Sequence, residues 1–540
     1  MRFLVCVALP YANGPLHLGH IAGAYLPADI FARYHRMSGD EVLLVSGSDE
    51  HGTPITIRAE REGRSPKEIA DRYHELIAHN MRQLGISFDW YTRTGTSTHQ
   101  QVVQEFFTRL LEKDYIYRKK MIMPFCPHCG RFLPDRYIEG RCPHCHAEGA
   151  RGDQCDRCGR LLAPGELIEP RCRICGGTPE SRETEHFFFK LSAFQRPLQE
   201  WVKKQKWKKN VRQGALGLLS GGLKDRAITR DLEWGVPIPL PGYEGKRIYV
   251  WFEALIGYIS ATVEWATHQG AKERWKDYWC SPAQIYHFVG KDNIPFHTIM
   301  WPAMLLAHGG LNLPSDVPAN EYMTLAGEKF SSSRDHAIWL PDCLDRFDPD
   351  PIRYCLTVNM PETRDTDFTW DDFIRRNNDE LVATLGNFVH RTLTFAHKHW
   401  GFVPPARMDK KDRQLLDNVE NAFADVAMEI ERCRFKRGLK KVMDLAQAGN
   451  KYLDEQSPWH QDSERRATTI HCCLQACAGL SKLMAPFLPF AADRLWSLLG
   501  YEGSVHQQRW AWSPLQEGQH LNPPAILFKK LEKPQVGNPS

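Results

Sequence analysis

The sequence predicts an α/β protein with an all-helical region after it. A parallel sheet is split by a small metal-stapled insert and followed by a helix bundle. Three observations predict this. Strand-like and helix-like segments alternate from the N-terminus, the signature of parallel strands joined by crossover helices. Four CxxC pairs crowd between Cys126 and Cys175, where hydrophobic periodicity is lost. After about residue 370 the pattern is almost wholly helical, as in an antiparallel bundle.

Each element can be justified in order. FLVCVAL, residues 3–9, is a continuous apolar run, as expected of a strand buried on both faces. The polar turn PYANGPLHLGH follows, then an apolar-periodic helix over 21–37. EVLLVSGSDEHG, from residue 41, is a second strand ending in a polar turn, and 66–84 fits a second helix. Both polar turns lie at the carboxyl ends of strands, where ligands sit in such sheets. Gly, Pro, Arg and Cys dominate 117–180, and the basic segment WVKKQKWKKNVRQ occupies 201–213. Strand character returns at 247–255 and 284–290, read as the second half of the same sheet. Helical segments cover 371–398, 410–433, 437–455 and 464–499, punctuated by Gly401, Pro458 and Gly500. The tail, 520–540, is expected to fray.

Composition sets the bounds. A chain of 540 residues exceeds one hydrophobic core, so three or four domains are expected. Apolar residues at 42% and charged residues at 25% exclude a largely disordered chain. A formal net charge of +4 is too small to establish nucleic-acid binding, so any basic surface must be local. No run of about 18 apolar residues occurs, which excludes a membrane-spanning helix, and Pro10 interrupts an N-terminus too short in apolar residues for a signal peptide.

Of 16 cysteines, eight lie in the CxxC pairs. The others, Cys6, Cys280, Cys343, Cys355, Cys433, Cys472, Cys473 and Cys477, read as small buried hydrophobes. Paired CxxC spacing without a signal peptide points to zinc in a reducing compartment, the cytoplasm. The pairs are Cys126/Cys129, Cys142/Cys145, Cys155/Cys158 and Cys172/Cys175, enough thiolates for two closed structural sites. Spacing alone leaves their pairing open. A complete cysteine set leaves no need for His128, His144 or His146 as ligands.

Two motifs carry chemistry. In HLGH, His17 and His20 open a helix whose backbone N–H groups attract phosphate, and Gly14 and Gly19 let the backbone approach closely. In GEKFSSSR, residues 327–334, Lys329, three serines and Arg334 suit a mobile phosphate clamp. Together, some 310 residues apart on a split strand–helix fold, they resemble the paired signatures of class I aminoacyl-tRNA synthetases. One departure stands out: Ser332 occupies a position where that class most often has lysine.

The stretches ALPYANGPLHLGH, GSDEHGTPI, LPDRYIEG, EHFFFKL, YVWFEALIGY, YHFVGKDNIPFH and DEQSPW resemble the methionyl-tRNA synthetase family over nearly the whole chain. The resemblance implies a Rossmann-like catalytic domain in two halves, 1–116 and 247–323, around a zinc-binding connective insert at 117–246. It implies a linker domain with the KFSSS loop at 324–385 and a helical anticodon-binding domain at 386–540. It assigns Leu9, Asp49, Trp251, Ala254, Tyr258 and His297 to the methionine pocket, with Leu255 where relatives commonly have proline. Asn13, Gly19, Gly290, Asp292, Lys329 and Ser332 fall to ATP, and His17, His20 and Lys329 to catalysis. It matches the inner cysteines, Cys142, Cys145, Cys155 and Cys158, to the family's zinc knuckle and leaves the outer four for a second. Asn387, Arg391, Pro458 and Trp459 match anticodon-reading positions, and the basic segment 201–213 would meet the acceptor arm. The implied partners are tRNA(Met), ATP with Mg²⁺, and methionine. The large editing insert usual in the valine, isoleucine and leucine enzymes is missing, and no cysteine pair lies in the pocket as in the cysteine enzyme. With no appended oligonucleotide-binding barrel, a monomer is expected. A tRNA-binding paralogue without catalysis is the alternative.

Overall fold

In the computed structural model, residues 1–532 are described except 153, 154, 156, 159, 161, 163 and 331–335. The central sheet is parallel and has five strands: β1 (Arg2–Val7), β2 (Glu41–Ser48), β3 (Trp90–Arg93), β4 (Gln284–Gly290) and β5 (Ala319–Asn320). Their order is β5-β4-β1-β2-β3. β1 is central, with Phe3 opposite Gln284 on one side and Arg2 opposite Glu41 on the other. Strands nearly 280 residues apart in sequence are thus direct neighbours, which is the split sheet expected. β1 is buried from Phe3 to Val7, as its unbroken apolar run requires.

Helices cover both faces. Residues 18–37 form one continuous helix whose second turn, Ile21–Tyr25, is a π-turn. A second π-turn, Phe296–Met300, precedes the helix Trp301–His308. Both of these π-turns are followed within two residues by a proline, Pro27 or Pro302, whereas a third π-helical stretch, Arg376–Gly386, is not. Proline has no N–H for the preceding turn, and the ladder widens to accommodate it.

The antiparallel strands Ile116–Cys126 and Glu180–Phe189 lead into and out of the cysteine-rich insert. The insert docks on the helix Thr53–Glu62 through Tyr137, whose hydroxyl donates to Thr56 Oγ1 at 2.8 Å, and Arg131, 2.9 Å from Glu60. Beyond the central sheet, helices Lys410–Glu431, Phe435–Gln456 and Ser463–Leu483 pack against one another as the core of the bundle.

Four expectations need correction. Cys280, read as a buried hydrophobe, is exposed. The run 247–255 is not a strand beyond Arg247–Ile248; Val250–His268 is a helix. It is buried nearly all round, so its apolar residues show no face from which helix and strand could be told apart. The segment 464–499 is two helices, Ser463–Leu483 and Pro489–Leu498, separated where Pro486 and Pro489 withhold backbone donors. The tail does not fray as far as residue 532. Leu521, Leu527 and Phe528 are buried, and the carbonyls of Lys529 and Leu531 accept from Asn377 and Asn378.

One buried ion pair ties the sheet to the bundle. Arg353, wholly buried on the helix Pro349–Val358, donates to Asp29 Oδ2 at 2.7 Å. Its guanidinium also donates to the carbonyls of Phe487 (2.8 Å), Pro486 (3.0 Å) and Leu84 (3.3 Å). Burial opposes ionisation of Asp29, but Arg33 and Arg353 hold its carboxyl far below the usual range. Its stabilising contribution is therefore present at neutral pH and lost as pH falls below about 4. Arg353→Met leaves Asp29 to Arg33 and Ser87 and strands the carbonyls of Phe487, Pro486 and Leu84, and is expected to cost about 3 kcal/mol in the first unfolding transition. In calorimetry the variant's sheet and bundle should melt separately.

Candidate active site

The site gathers at the carboxyl ends of β1, β2 and β4. After β1, Pro10, Gly14 and Pro15 turn the chain into His17, an extended N-cap. His17 Nδ1 accepts from His20 N, and His20 Nδ1 accepts from His17 N, both at 3.3 Å. This reciprocal box fixes the two rings in a stack, centroids 3.6 Å apart. On the other side of His17 stacks Phe330, at 4.9 Å. A Cβ at Gly19 would stand 3.0 Å from the His17 ring and 3.2 Å from Phe330, so any larger residue would press on the stack. The chain after the KFSSS segment is also tied down: Leu18 N donates to Ile338 O (3.1 Å) and Leu340 N to Leu16 O (2.8 Å). The two signatures therefore meet. Lys329 lies in a short hairpin, its backbone paired with Thr324, and Gly327 provides the turn at φ +80°. Ser332 lies outside the described residues.

The six methionine-pocket candidates converge beside this turn. Trp251, Ala254 and Tyr258 share one face of the helix Val250–His268 by their spacing. Trp251 stacks on Phe296 at 4.2 Å and meets the edge of Tyr11 at 6.2 Å. Tyr258 and His297 are both buried, with the hydroxyl 2.8 Å from Nε2. Burial pushes His297 down to about 4, so the ring is neutral at pH 7. Its Nδ1–H donates to Asn293 O at 3.0 Å, leaving Nε2 to accept from the tyrosine. Leu9 closes the wall against Gly257, where a Cβ would lie 3.1 Å from Leu9 Cδ2.

Asp49 is tied to the first turn by both its backbone groups. Its N–H donates to Pro10 O at 2.7 Å, and its carbonyl accepts from Ala12 N at 2.8 Å. Its carboxylate accepts from His51 N at 3.2 Å and has no cationic side chain at ion-pair distance among the described residues. Burial, reinforced by the nearby Glu253 carboxylate, raises the Asp49 carboxyl well above its usual range. An apolar and aromatic pocket with a buried acid at its rim can receive a thioether side chain bearing an ammonium group.

The nucleotide candidates lie next to it. Gly290 ends β4, and the exposed Asp292 accepts a hydrogen bond from the Tyr322 hydroxyl. Lys291 bridges Glu321 (2.9 Å) and Asp365 (2.8 Å). The Asn13 carbonyl accepts from Arg58 at 2.7 Å.

The eight paired cysteines form two clusters. Cys126, Cys129, Cys172 and Cys175 make one, and Cys142, Cys145, Cys155 and Cys158 the other. Sulfur–sulfur separations of 3.5 and 3.9 Å in the first, and 3.6 and 3.9 Å in the second, suit a tetrahedral ion with zinc–sulfur bonds of about 2.3 Å. No histidine joins either cluster among the described residues. In the bundle, Arg391 lies 5.6 Å from the Trp459 ring and 2.8 Å from Asp454. Trp459 is 44% exposed, Pro458 beside it is buried, and Asn387 stands exposed one turn before Arg391.

Sequence reasoning passed over several residues here. Tyr11 and Phe296, which clasp Trp251, lie inside the quoted stretches, Tyr11 read as a turn residue and Phe296 given no role. Glu253 read as part of a strand. Arg136, 5.8 Å from the Tyr11 ring, lies in the quoted stretch LPDRYIEG of the insert, with no role assigned there.

The split parallel sheet, with its HLGH turn stacked against the KFSSS hairpin, defines a class I aminoacyl-tRNA synthetase. Family models narrow the class: the one described as tRNA synthetases class I (M) matches residues 3–393, and the anticodon binding domain of methionyl tRNA ligase matches 403–538. The chain belongs to the methionyl-tRNA synthetase family. A methionine–tRNA ligase of Dehalococcoides mccartyi is 53% identical over 98% of this chain and 97% of its own. That of Thermomicrobium roseum is 49% identical, covering 98% and 96%. The Pyrococcus furiosus ligase is 47% identical over 99% of this chain and 76% of its own. The solved Mycobacterium tuberculosis methionyl-tRNA synthetase in complex with methionyl-adenylate superposes with a TM-score of 0.81 at 25% identity, covering 98% of this chain and 100% of that one.

Asp49→Asn keeps the shape and removes the charge. Methionine-dependent activation should fall about 10²–10³-fold in kcat/KM, the cost of losing one partner of a desolvated ion pair. The raised carboxyl means that ionised Asp49 penalises the fold at neutral pH. The variant should therefore melt higher than the parent at pH 7, with the gap closing as the pH falls and the parent's Asp49 takes up its proton.

Proposed function

We propose that the chain is a methionine–tRNA ligase that works through the residues gathered above. The methionine side chain enters between Trp251, Leu9, Ala254 and the Tyr258–His297 pair, and Asp49 receives its ammonium group. The observation that carries this reading is the convergence of an acid-rimmed aromatic pocket with the stacked His17–His20 turn.

In the first step the methionine carboxylate oxygen attacks the α-phosphorus of ATP, the bond to the bridging oxygen breaks, and pyrophosphate leaves. Methionyl-adenylate remains. His17, His20 and Lys329 offset the growing negative charge, and Gly290 and Asp292 hold the ribose. Such chemistry relies on positioning and electrostatics. Mg²⁺ enters with ATP as counter-charge to its phosphates, and no residue here is assigned to it. In the second step a hydroxyl of the tRNA's 3′-terminal adenosine attacks the activated carbonyl and AMP leaves.

The catalytic halves 1–116 and 247–323, the insert 117–246, the linker 324–385 and the helical domain from 386 divide the work. Two clusters of four thiolates suit two structural zinc ions, which cross-link the insert. Trp459 offers an exposed ring for a splayed anticodon base, with Arg391, Asn387 and Pro458 around it. The segment 201–213 buries Trp207 and Val211 while exposing Lys203, Lys204, Lys206, Lys209 and Arg212, a face suited to acceptor-arm phosphates. The reading extends to a monomer in the cytoplasm; no helix among the described residues is long and apolar enough to cross a membrane.

Amino-acid-dependent ATP–pyrophosphate exchange, run with each of the twenty amino acids and no tRNA, tests the reading. Exchange with methionine alone is expected. Absence of exchange from a protein that still binds tRNA would replace the enzyme with a tRNA-binding paralogue.

A further inference from the structure

Three buried carboxylates, Asp49, Glu50 and Glu253, lie in the pocket region, and the reading above uses only Asp49. Glu253 sits between Trp251 and Ala254 in sequence but turns inward, wholly buried. Its Oε1 lies 2.8 Å from His51 Nδ1, and its Oε2 lies 2.5 Å from His99 Nε2. His99 Nδ1 reaches Ser260 Oγ at 2.9 Å, two turns further along the helix that carries Glu253. At the other end, His51 N donates to Asp49 Oδ1. A continuous chain of buried contacts thus runs Asp49–His51–Glu253–His99–Ser260. It joins the turn after β2, the helix Ser97–Glu112 and the pocket helix Val250–His268.

We infer that Glu253 is a positioning residue for the amino-acid substrate: through His51 it holds the Asp49 carboxylate in place for the ammonium group, and its own charge deepens the negative field there. The inference rests on the assignment of Asp49 made above. Each Glu253 oxygen is taken by an imidazole, so Glu253 stays fixed and the ammonium goes to Asp49. Burial opposes its ionisation, yet His51 and His99 bring the carboxyl down to about 2, so it remains an anion across the working range. Charge interactions in a water-poor site are stronger than at the surface, so a second fixed anion behind Asp49 strengthens the capture of a cation.

The other groups facing Asp49 are few. Glu50 and His51 belong to its own turn, with Glu50 held by Arg93 and Arg93 also paired to Asp71. Tyr11 comes from the first turn, with Arg136 above it. Trp234, neutral, donates to Glu50 O. His99 approaches only through Glu253.

The test is methionine-dependent pyrophosphate exchange as a function of pH for the full chain and two variants. Glu253→Gln is expected to raise KM for methionine about tenfold, as for the loss of one pK unit's worth of interaction. KM for ATP should stay within about twofold. The acid limb of kcat/KM for methionine should move to lower pH, because Asp49 ionises more readily beside a neutral amide. His99→Asn keeps the Glu253 charge but offsets it less, so the acid limb should move the opposite way and KM for methionine should fall at pH values above that limb. Loss confined to kcat, or an unchanged methionine KM with an unmoved acid limb, would overturn the inference and make the chain a brace of the fold alone. If Glu253→Gln does not fold, the His99→Asn limb decides. Failure of the unmodified protein to exchange with methionine would instead strike the assignment of Asp49 itself.

Discussion

The pairing of Asp49 with the first turn is the constraint on which the site depends. Two backbone hydrogen bonds, Asp49 N to Pro10 O and Ala12 N to Asp49 O, join the chain leaving β2 to the chain leaving β1. Leu9, Tyr11 and the His17 turn are thereby held beside the Asp49 carboxylate. β1 lies between β2 and β4, so the end of β4 and the π-turn carrying Phe296 and His297 reach the same point. Leu18 and Leu340 then tie in the segment that follows the KFSSS loop. Parts of the chain that are hundreds of residues apart become one site because three neighbouring strands end together.

Three buried carboxylates show how the fold distributes charge. Asp29 is fully compensated by Arg33, Arg353 and Ser87, and it holds the sheet to the bundle. Glu253 is compensated by two imidazoles and holds its turn and two helices together. Asp49 has a backbone N–H and an anionic neighbour, a costly arrangement that an arriving cation relieves. Stability is invested at the first two positions and withheld at the third, the pattern expected where a site must bind rather than merely fold.

Much of this was legible in the sequence. The apolar runs of β1 and β4, the CxxC spacing and the HLGH and KFSSS signatures point directly to the sheet, the insert and the site. The inner and outer cysteine grouping implied by the family resemblance is the grouping the structure adopts. What escaped has physical causes. The run 247–255 is apolar on every side, so periodicity could not separate helix from strand, and Glu253 was lost with it. Tyr11 and Phe296 matter only through contact with Trp251, which no local pattern encodes. Arg353 draws its partners from residues 29, 84, 486 and 487, and a lone arginine in a helix gives no sign of them.

On the reading proposed above, Asp49, whose carboxyl is raised by burial and by Glu253, gives up its proton when the ammonium group binds. Calorimetric titration with methionine at about pH 6, repeated in buffers of different ionisation enthalpy, measures the protons exchanged on binding. The account requires net proton release that vanishes in Asp49→Asn. Binding without proton release, or release unaffected by that substitution, would contradict it.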